Sequence, residues 1–360
     1  KVVYYAFEAI RDRDAKRIEN DEVLTGVIRE INPDIVHIYG TELAHTLAMV
    51  NVCENEDVET VISIQGLVSV IEKHIFANLP LGAIYGATLR NLMKMDNVIG
   101  LRKLFRKRGI NEVRAIRRTK HLIGRTTWDK ACSAIMNPKA EYHYCNEILR
   151  TAFYKKQWTI DQCKRHSIFL SQGQYPVKGL HYVIEALPII LAKFPDATVY
   201  VGGKDLTKSD TMKDRLQATY YSRYINKLIC KHRLHNRVVF TGPLDEQQMC
   251  SRYLKSHVFV CPSSIENSPN SLAEAMVLGL PSVASHVGGV PDMLTHNEEG
   301  FLYQHDAPYM LAYYICRIFE DDRRAVELST RARQRALRTH STEINTSKLM
   351  GIYKEILYGT

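Results

Sequence analysis

Short runs of β-branched and aromatic residues alternate with stretches of helical periodicity along the whole chain. That rhythm predicts parallel sheets with helical crossovers, an α/β architecture. In the first part, strands are expected at 2–7, 34–39, 60–64, 121–124 and 142–144, with helices between them, notably over 41–51 and 92–119. The second part is more regular, with apolar strands expected at 167–170, 197–201, 237–240, 258–261 and 282–285, each followed by a helix-like stretch. The change-over is expected near 155–166, where Tyr154-Lys155-Lys156-Gln157-Trp158 leaves the first set of elements. Two Rossmann-like halves with a cleft between them follow from this order. In open parallel sheets, ligands sit beyond the carboxyl ends of the strands, so the loops after Leu170, Val201, Phe240, Cys261 and Ser285 are the places to look for chemistry.

Composition narrows the class. At 360 residues, 45% hydrophobic and 24% charged, the chain exceeds one ordinary core and sits near the globular average, which excludes disordered and low-complexity architectures. No apolar run approaches the roughly 18 residues of a membrane span, and no secretory leader opens the chain, so a cytoplasmic protein is expected. The eight cysteines are scattered without a CxxC pair or finger spacing and read as reduced thiols. No metal ligand set is expected. Residue 1 is Lys and the chain enters directly on Val2-Val3-Tyr4-Tyr5-Ala6-Phe7, which reads as a truncated N-terminus.

The net charge of +9 is concentrated in residues 90–125, where twelve Lys or Arg face two acids, Asp96 and Glu112. Within it, Leu101, Leu104 and Phe105 alternate with Arg102, Lys103, Arg106, Lys107 and Arg108 at helical spacing. This suits an anionic membrane surface or another polyanion, and equally a solvated basic helix. Nucleic acid is not an expected partner, because no helix-turn-helix, finger or RNP pattern accompanies the charge.

The segment 262–281 holds a loop and a complete helix, with Ser268 expected as N-cap, Pro269 at the first helical position and Gly279 at the stop. Leu272, Ala275 and Met276 share an apolar face, and Asn270 and Glu274 fall opposite it. Following a strand's carboxyl end, this helix start offers backbone N–H groups to an anion such as phosphate. Glu266 and Glu274 are then placed to hydrogen-bond sugar hydroxyls, or equally are a loop acid that complements the dipole and a solvated helix residue.

The two glutamates, separated by seven residues within Pro-Ser-Ser-Ile-Glu-Asn-Ser-Pro-Asn-Ser-Leu-Ala-Glu-Ala-Met-Val-Leu-Gly-Leu-Pro, resemble the donor-site signature of retaining GT-B glycosyltransferases of family 4. The resemblance extends over about 167–305 through Lys178-Gly179, Gly202-Gly203, Phe240-Thr241-Gly242, Gly288-Gly289 and Gly300-Phe301-Leu302. In the first part only 33–40 and Ile64-Gln65-Gly66 look familiar. The resemblance implies two Rossmann-like domains with parallel sheets facing a central cleft: an acceptor domain over 1–158, a donor domain over 159–342 and a last helix over 343–360 returning to the first domain.

It further implies that Glu274 holds the ribose of a nucleotide diphosphate sugar, UDP-linked by preference or GDP-linked, and that Glu266 contacts the transferred sugar. The backbone at Asn270, Ser271 and Leu272 would cap the diphosphate, Lys178 would neutralise the departing phosphate, and Gly242, Gly288 and Gly289 would line the donor. The acceptor-side candidates, for a glycan or lipid-linked sugar, are Gln65 and Gly66 with Arg125, Thr127 and Trp128; the last three cluster with His121 and Asp129 after an expected strand, where ordinary strand-end packing and capping is the alternative. No cofactor and no metal is implied, since a cation and a helix N-terminus can stabilise the leaving nucleotide. The expected setting is surface polysaccharide or glycolipid synthesis at the inner face of the cytoplasmic membrane.

Two departures stand out. The family usually places an Arg shortly before the Lys, whereas residues 171–178 contain none, and Gln65-Gly66 replaces the frequent His-Gly. The missing Arg, together with the apparently absent first strand, leaves open a noncatalytic GT-B subunit that binds nucleotide or a partner. A nucleotide-sugar epimerase or a sugar phosphorylase is a further alternative.

Overall fold

The computed structural model describes residues 2–86, 97–208 and 218–359. The chain divides into two compact units. The first comprises 1–73, 102–147 and 341–360, and the second comprises 74–101 and 148–340.

In the first unit, β1 (Ile35–Tyr39), β2 (Glu59–Ser63), β3 (His121–Gly124) and β4 (Glu141–Tyr144) form a parallel sheet in the order β1-β2-β3-β4. Leu47, Ala48, Val52 and Cys53 of the helix Ala44–Asn55 pack with Ile62, Ile64, Ile116 and Leu122 in its core. The helix Thr342–Tyr358 covers the sheet through Ile352, which packs with Val61, Ile123 and Cys145. His37, on β1, is satisfied at both nitrogens, by the Tyr353 hydroxyl at 2.6 Å and the Ser63 hydroxyl at 2.7 Å.

Residues 2–7, expected as a strand, are not one. Among the described residues β1 pairs with β2 alone, so no neighbouring strand bonds the N–H and C=O groups of 2–7, and Val2, Tyr4 and Phe7 stay exposed. Apolar composition without a pairing partner does not make a strand. The basic helix runs Val98–Arg118; the part of its expected range at 92–96 lies outside the described residues.

In the second unit, β5 (Ser167–Leu170), β6 (Thr198–Val201), β7 (Val238–Phe240), β8 (Val258–Cys261), β9 (Ser282–Ser285) and β10 (Phe301–Tyr303) are parallel, in the order β10-β9-β8-β5-β6-β7. β5 and β8 are buried at every position, which explains their unbroken apolar sequences. Tyr253, fully buried, packs edge-on against Phe153 and Phe169, with ring centroids 5.8 and 5.0 Å away. The chain runs outward from β5 through β6 and β7 on one side, and from β8 through β9 and β10 on the other. The sheet therefore reverses direction between β5 and β8, and the loops beyond these two strands diverge to leave a crevice.

The division between units differs from the expected 158/159. Residues 148–158 belong with the second sheet: Phe153 packs on Tyr253, and the Trp158 indole N–H donates to the Ser256 carbonyl at 2.7 Å. The segment beginning at residue 74 also belongs there, because the Tyr182 hydroxyl and His181 Nε2 both bond the Ala77 carbonyl, at 2.7 and 3.0 Å.

Burial pushes the pKa of His181 from 6.5 to about 4, despite the Ala77 carbonyl that opposes the shift. Its pKa is lowered on folding, so its contribution is full above the unfolded value and is lost as pH falls from 6.5 through 4. The loss amounts to on the order of 2–4 kcal/mol. Denaturant unfolding at pH 7 and pH 5 should show this decline, and His181→Gln should flatten it.

Candidate functional site

The site assembles at the β5/β8 reversal. After β5 the chain makes one short turn, Pro176–Lys178, closed by Gly179 with φ +72°. A Cβ at Gly179 would collide with the Pro262 carbonyl oxygen, so only glycine lets this turn lie against the loop after β8. The Ser264 N–H donates to the Val177 carbonyl at 2.9 Å and ties the two loops together. Lys178 is thereby delivered to Glu266, with Nζ 2.6 Å from Oε1. The Ser263 hydroxyl donates to the same oxygen at 2.7 Å.

Burial alone would lower the Lys178 pKa, but the charge and hydrogen bond of Glu266 outweigh it and hold the ammonium above its ordinary value. The pair is poorly exposed, at 24% and 14% of the two side chains. Neighbouring Cys261 is a neutral thiol, its pKa pushed up to about 12 by burial.

Gly288 and Gly289 close around the same residue. The Gly289 N–H donates to the Glu266 carbonyl at 3.1 Å, and a Cβ on Gly288, at φ +52°, would overlap that carbonyl oxygen. Lys178, Glu266, Gly288 and Gly289 are thus brought together. Gly242 sits elsewhere, in a bridge to Gly203 beyond β6 and β7.

The helix runs Asn270–Leu278 with Pro269 as its N-cap, one residue later than expected, and no side chain caps it. Gly279 ends it at φ +79°, in the left-handed conformation expected of a C-terminal glycine. The Leu272 N–H, expected to help hold a diphosphate, already donates to the Pro269 carbonyl at 2.9 Å, which narrows that task to Asn270 and Ser271.

Glu274 is not a solvated helix residue: it is 5% exposed. Its Oε1 accepts from Arg150 Nε at 2.9 Å and lies 2.7 Å from Nη2. Burial raises its pKa, and the Arg150 guanidinium opposes the shift. Arg150 also lies 4.8 Å from the Phe153 ring. Sequence reasoning missed Arg150, which stands 124 positions from its partner.

In the first unit, Gln65 and Arg125 meet on Glu147, another residue the sequence did not single out. Arg125 Nη1 is 2.8 Å from Glu147 Oε2, Arg125 Nη2 donates to Gln65 Oε1 at 3.3 Å, and the Gln65 amide donates to Glu147. The Gly66 carbonyl accepts from the Thr41 hydroxyl at 2.8 Å. Thr127 and Trp128 open the next helix. Thr126 and Asp129 form a capping box that starts the helix Thr127–Met136, Thr127 is exposed, and Trp128 packs against the core.

Comparison with known proteins places this geometry. The family described as glycosyl transferases group 1 matches residues 151–335, just over half the chain. A putative glycosyltransferase of Bacillus subtilis, YtcC, is 26% identical over 208 residues, which is 57% of this chain and 48% of that protein. Sulfoquinovosyl transferase SQD2 of Arabidopsis thaliana is 42% identical over 122 residues, 34% of this chain and 20% of that protein. The chain thus spans about half or less of the length of these curated relatives. Among solved structures, Anabaena Alr3699/HepE in complex with UDP and glucose superposes with a TM-score of 0.67 at 16% identity, covering 92% of this chain and 81% of that one. The chain belongs to the glycosyl transferases group 1 family, and its two parallel-sheet units have the GT-B fold.

Proposed function

We propose that the protein is a glycosyltransferase that moves a sugar from a nucleotide diphosphate sugar to a glycan or glycolipid acceptor, with retention at the anomeric carbon. The observation that carries this reading is the partly buried Lys178–Glu266 pair at the reversal of the second sheet. A buried ammonium at that place is a counter-charge for a diphosphate, and the helix start at Asn270 and Ser271 adds backbone dipoles. Without donor, Glu266 neutralises Lys178. When a diphosphate takes over the ammonium, Glu266 is released toward the hydroxyls of the transferred sugar, and Glu274 serves the ribose. The Anabaena protein that shares the fold is described with UDP and glucose bound, which favours UDP as the nucleotide.

The second unit is then the donor side, and Gln65, Gly66 and Arg125 are the acceptor-side groups in the first. The noncatalytic reading draws on one observation: residues 171–178 bring no arginine, so Lys178 is the cation this loop supplies.

The setting we infer is the inner face of the cytoplasmic membrane, in surface polysaccharide or glycolipid synthesis. Among the described residues no helix is long and apolar enough to cross a membrane. In the helix Val98–Arg118, Arg102, Arg108, Arg114 and Arg118 are engaged by Glu72, Asp12, Glu19 and Glu54. Lys103, Arg106 and Lys107 remain exposed beside exposed Leu104 and Ile110. At about 1 kcal/mol per cation near an anionic surface, these three support reversible attachment. Sedimentation should show salt-sensitive binding to anionic vesicles that a Lys103→Glu/Lys107→Glu variant loses; equal binding to neutral vesicles contradicts the assignment.

Turnover with a panel of UDP-, GDP- and ADP-sugars tests the main reading. Lys178→Met keeps length and drops charge, so kcat should fall on the order of 10²–10³-fold. Glu274→Ala should chiefly raise the donor KM, because ribose contacts persist through the reaction. A folded Lys178→Met protein with turnover within a few-fold of the parent removes Lys178 from the mechanism.

A further inference from the structure

The first unit carries a second cluster of chemically able side chains, away from every residue used above. Its origin is the register of two neighbouring strands. β3 and β4 are parallel, with His121 opposite Glu141 and Ile123 opposite His143. Side chains alternate between faces, so His121, Glu141 and His143 project from the same face of adjacent strands. The outcome is close: His121 Nδ1 lies 3.1 Å from His143 Nε2 and 3.5 Å from Glu141 Oε2. All three ligand atoms lie within 4.8 Å of one another.

We propose that His121, Glu141 and His143 form a binding site for a divalent metal ion of the zinc class. A tetrahedral ion with ligands at about 2.0–2.2 Å spaces those ligands about 3.3–3.6 Å apart, so two edges of the tetrahedron already stand near that spacing. The third needs only a rotation of Glu141, whose side chain is 53% exposed and free to swing. Two imidazoles and one carboxylate are a donor set for zinc, cobalt or nickel, whereas calcium and magnesium prefer oxygen alone.

The surroundings support the same reading. His143 is buried, and its other nitrogen, Nδ1, lies 3.7 Å from Glu355 Oε2 on the helix Thr342–Tyr358. Drawn in from 3.7 Å to hydrogen-bond length, this carboxylate would fix the ring and direct its second nitrogen at the metal, as outer partners of metal ligands do. Exposed Glu141 marks the route of entry. Three protein ligands leave a fourth position for water. A bound ion would link β3 to β4 and, through Glu355, to the helix that covers the sheet.

The test uses the full chain, stripped with a chelator, kept reduced by a non-coordinating phosphine and titrated with Zn²⁺ alone by calorimetry. One equivalent should bind, and His121→Gln and Glu141→Gln, at half-buried and exposed positions, should each weaken it at least tenfold. Glu355→Gln should weaken it about 10–100-fold while leaving all three ligands in place. Because the chain has eight cysteines, all free, Co²⁺ is the second probe, and its spectrum should lack thiolate charge transfer. Absence of stoichiometric Zn²⁺ binding, affinity unchanged in both ligand variants, or a thiolate spectrum would overturn the proposal. In that case the 3.1 Å contact is a plain imidazole–imidazole hydrogen bond.

Discussion

One partly buried ion pair sets the terms for the second unit. Lys178 and Glu266 lie on different loops, 88 positions apart, and meet because the sheet changes direction between β5 and β8. Taking two charges out of water costs several kcal/mol per ion, and their attraction repays it only when the remaining hydrogen bonds are satisfied. Ser263 supplies one of them, and the Gly289 N–H fixes the Glu266 backbone. A poorly exposed pair of this kind is weak evidence for stability. Under the proposed function it is a charge held ready for exchange, with a carboxylate keeping the ammonium's place until an anion arrives.

The backbone around the pair serves that exchange. Gly179 and Gly288 both take left-handed conformations, and both stand where a Cβ would strike a carbonyl of the other loop, Pro262 in one case and Glu266 in the other. Arg150 and Glu274 repeat the arrangement eight residues further on, here with a buried carboxylate held by a cation from a distant segment. Two carboxylates are thus masked in the free protein by two cations. Under the proposed function, a donor bringing its own negative charge would rearrange one or both.

Much of this was legible beforehand. β3, β5, β8 and β9 begin and end where expected, and the last three, buried at every position, are short and mostly apolar as parallel core strands are. β10, only three residues long, was missed as a strand. Residues 2–7 carry strand composition, but pairing depends on a neighbour that local sequence does not encode. The same limit hid Arg150, Glu147 and the His121–His143 contact, since each depends on tertiary placement or strand register. The placement of 148–158 and of the segment from residue 74 with the second sheet rests on side-chain contacts of Phe153, Trp158 and Ala77 that no local pattern announces.

The exchange account makes a demand that a purely structural ion pair would not meet. If the diphosphate takes Lys178 from Glu266, removing the carboxylate's charge should remove a competitor for the ammonium and a repulsive neighbour of the anion. The direct measurement is calorimetric titration of UDP, without sugar, into the parent and Glu266→Gln proteins at equal ionic strength. The account predicts that Glu266→Gln binds UDP more tightly than the parent, and that this gain vanishes when Lys178→Met is added. Equal or weaker UDP binding by a folded Glu266→Gln protein would contradict it.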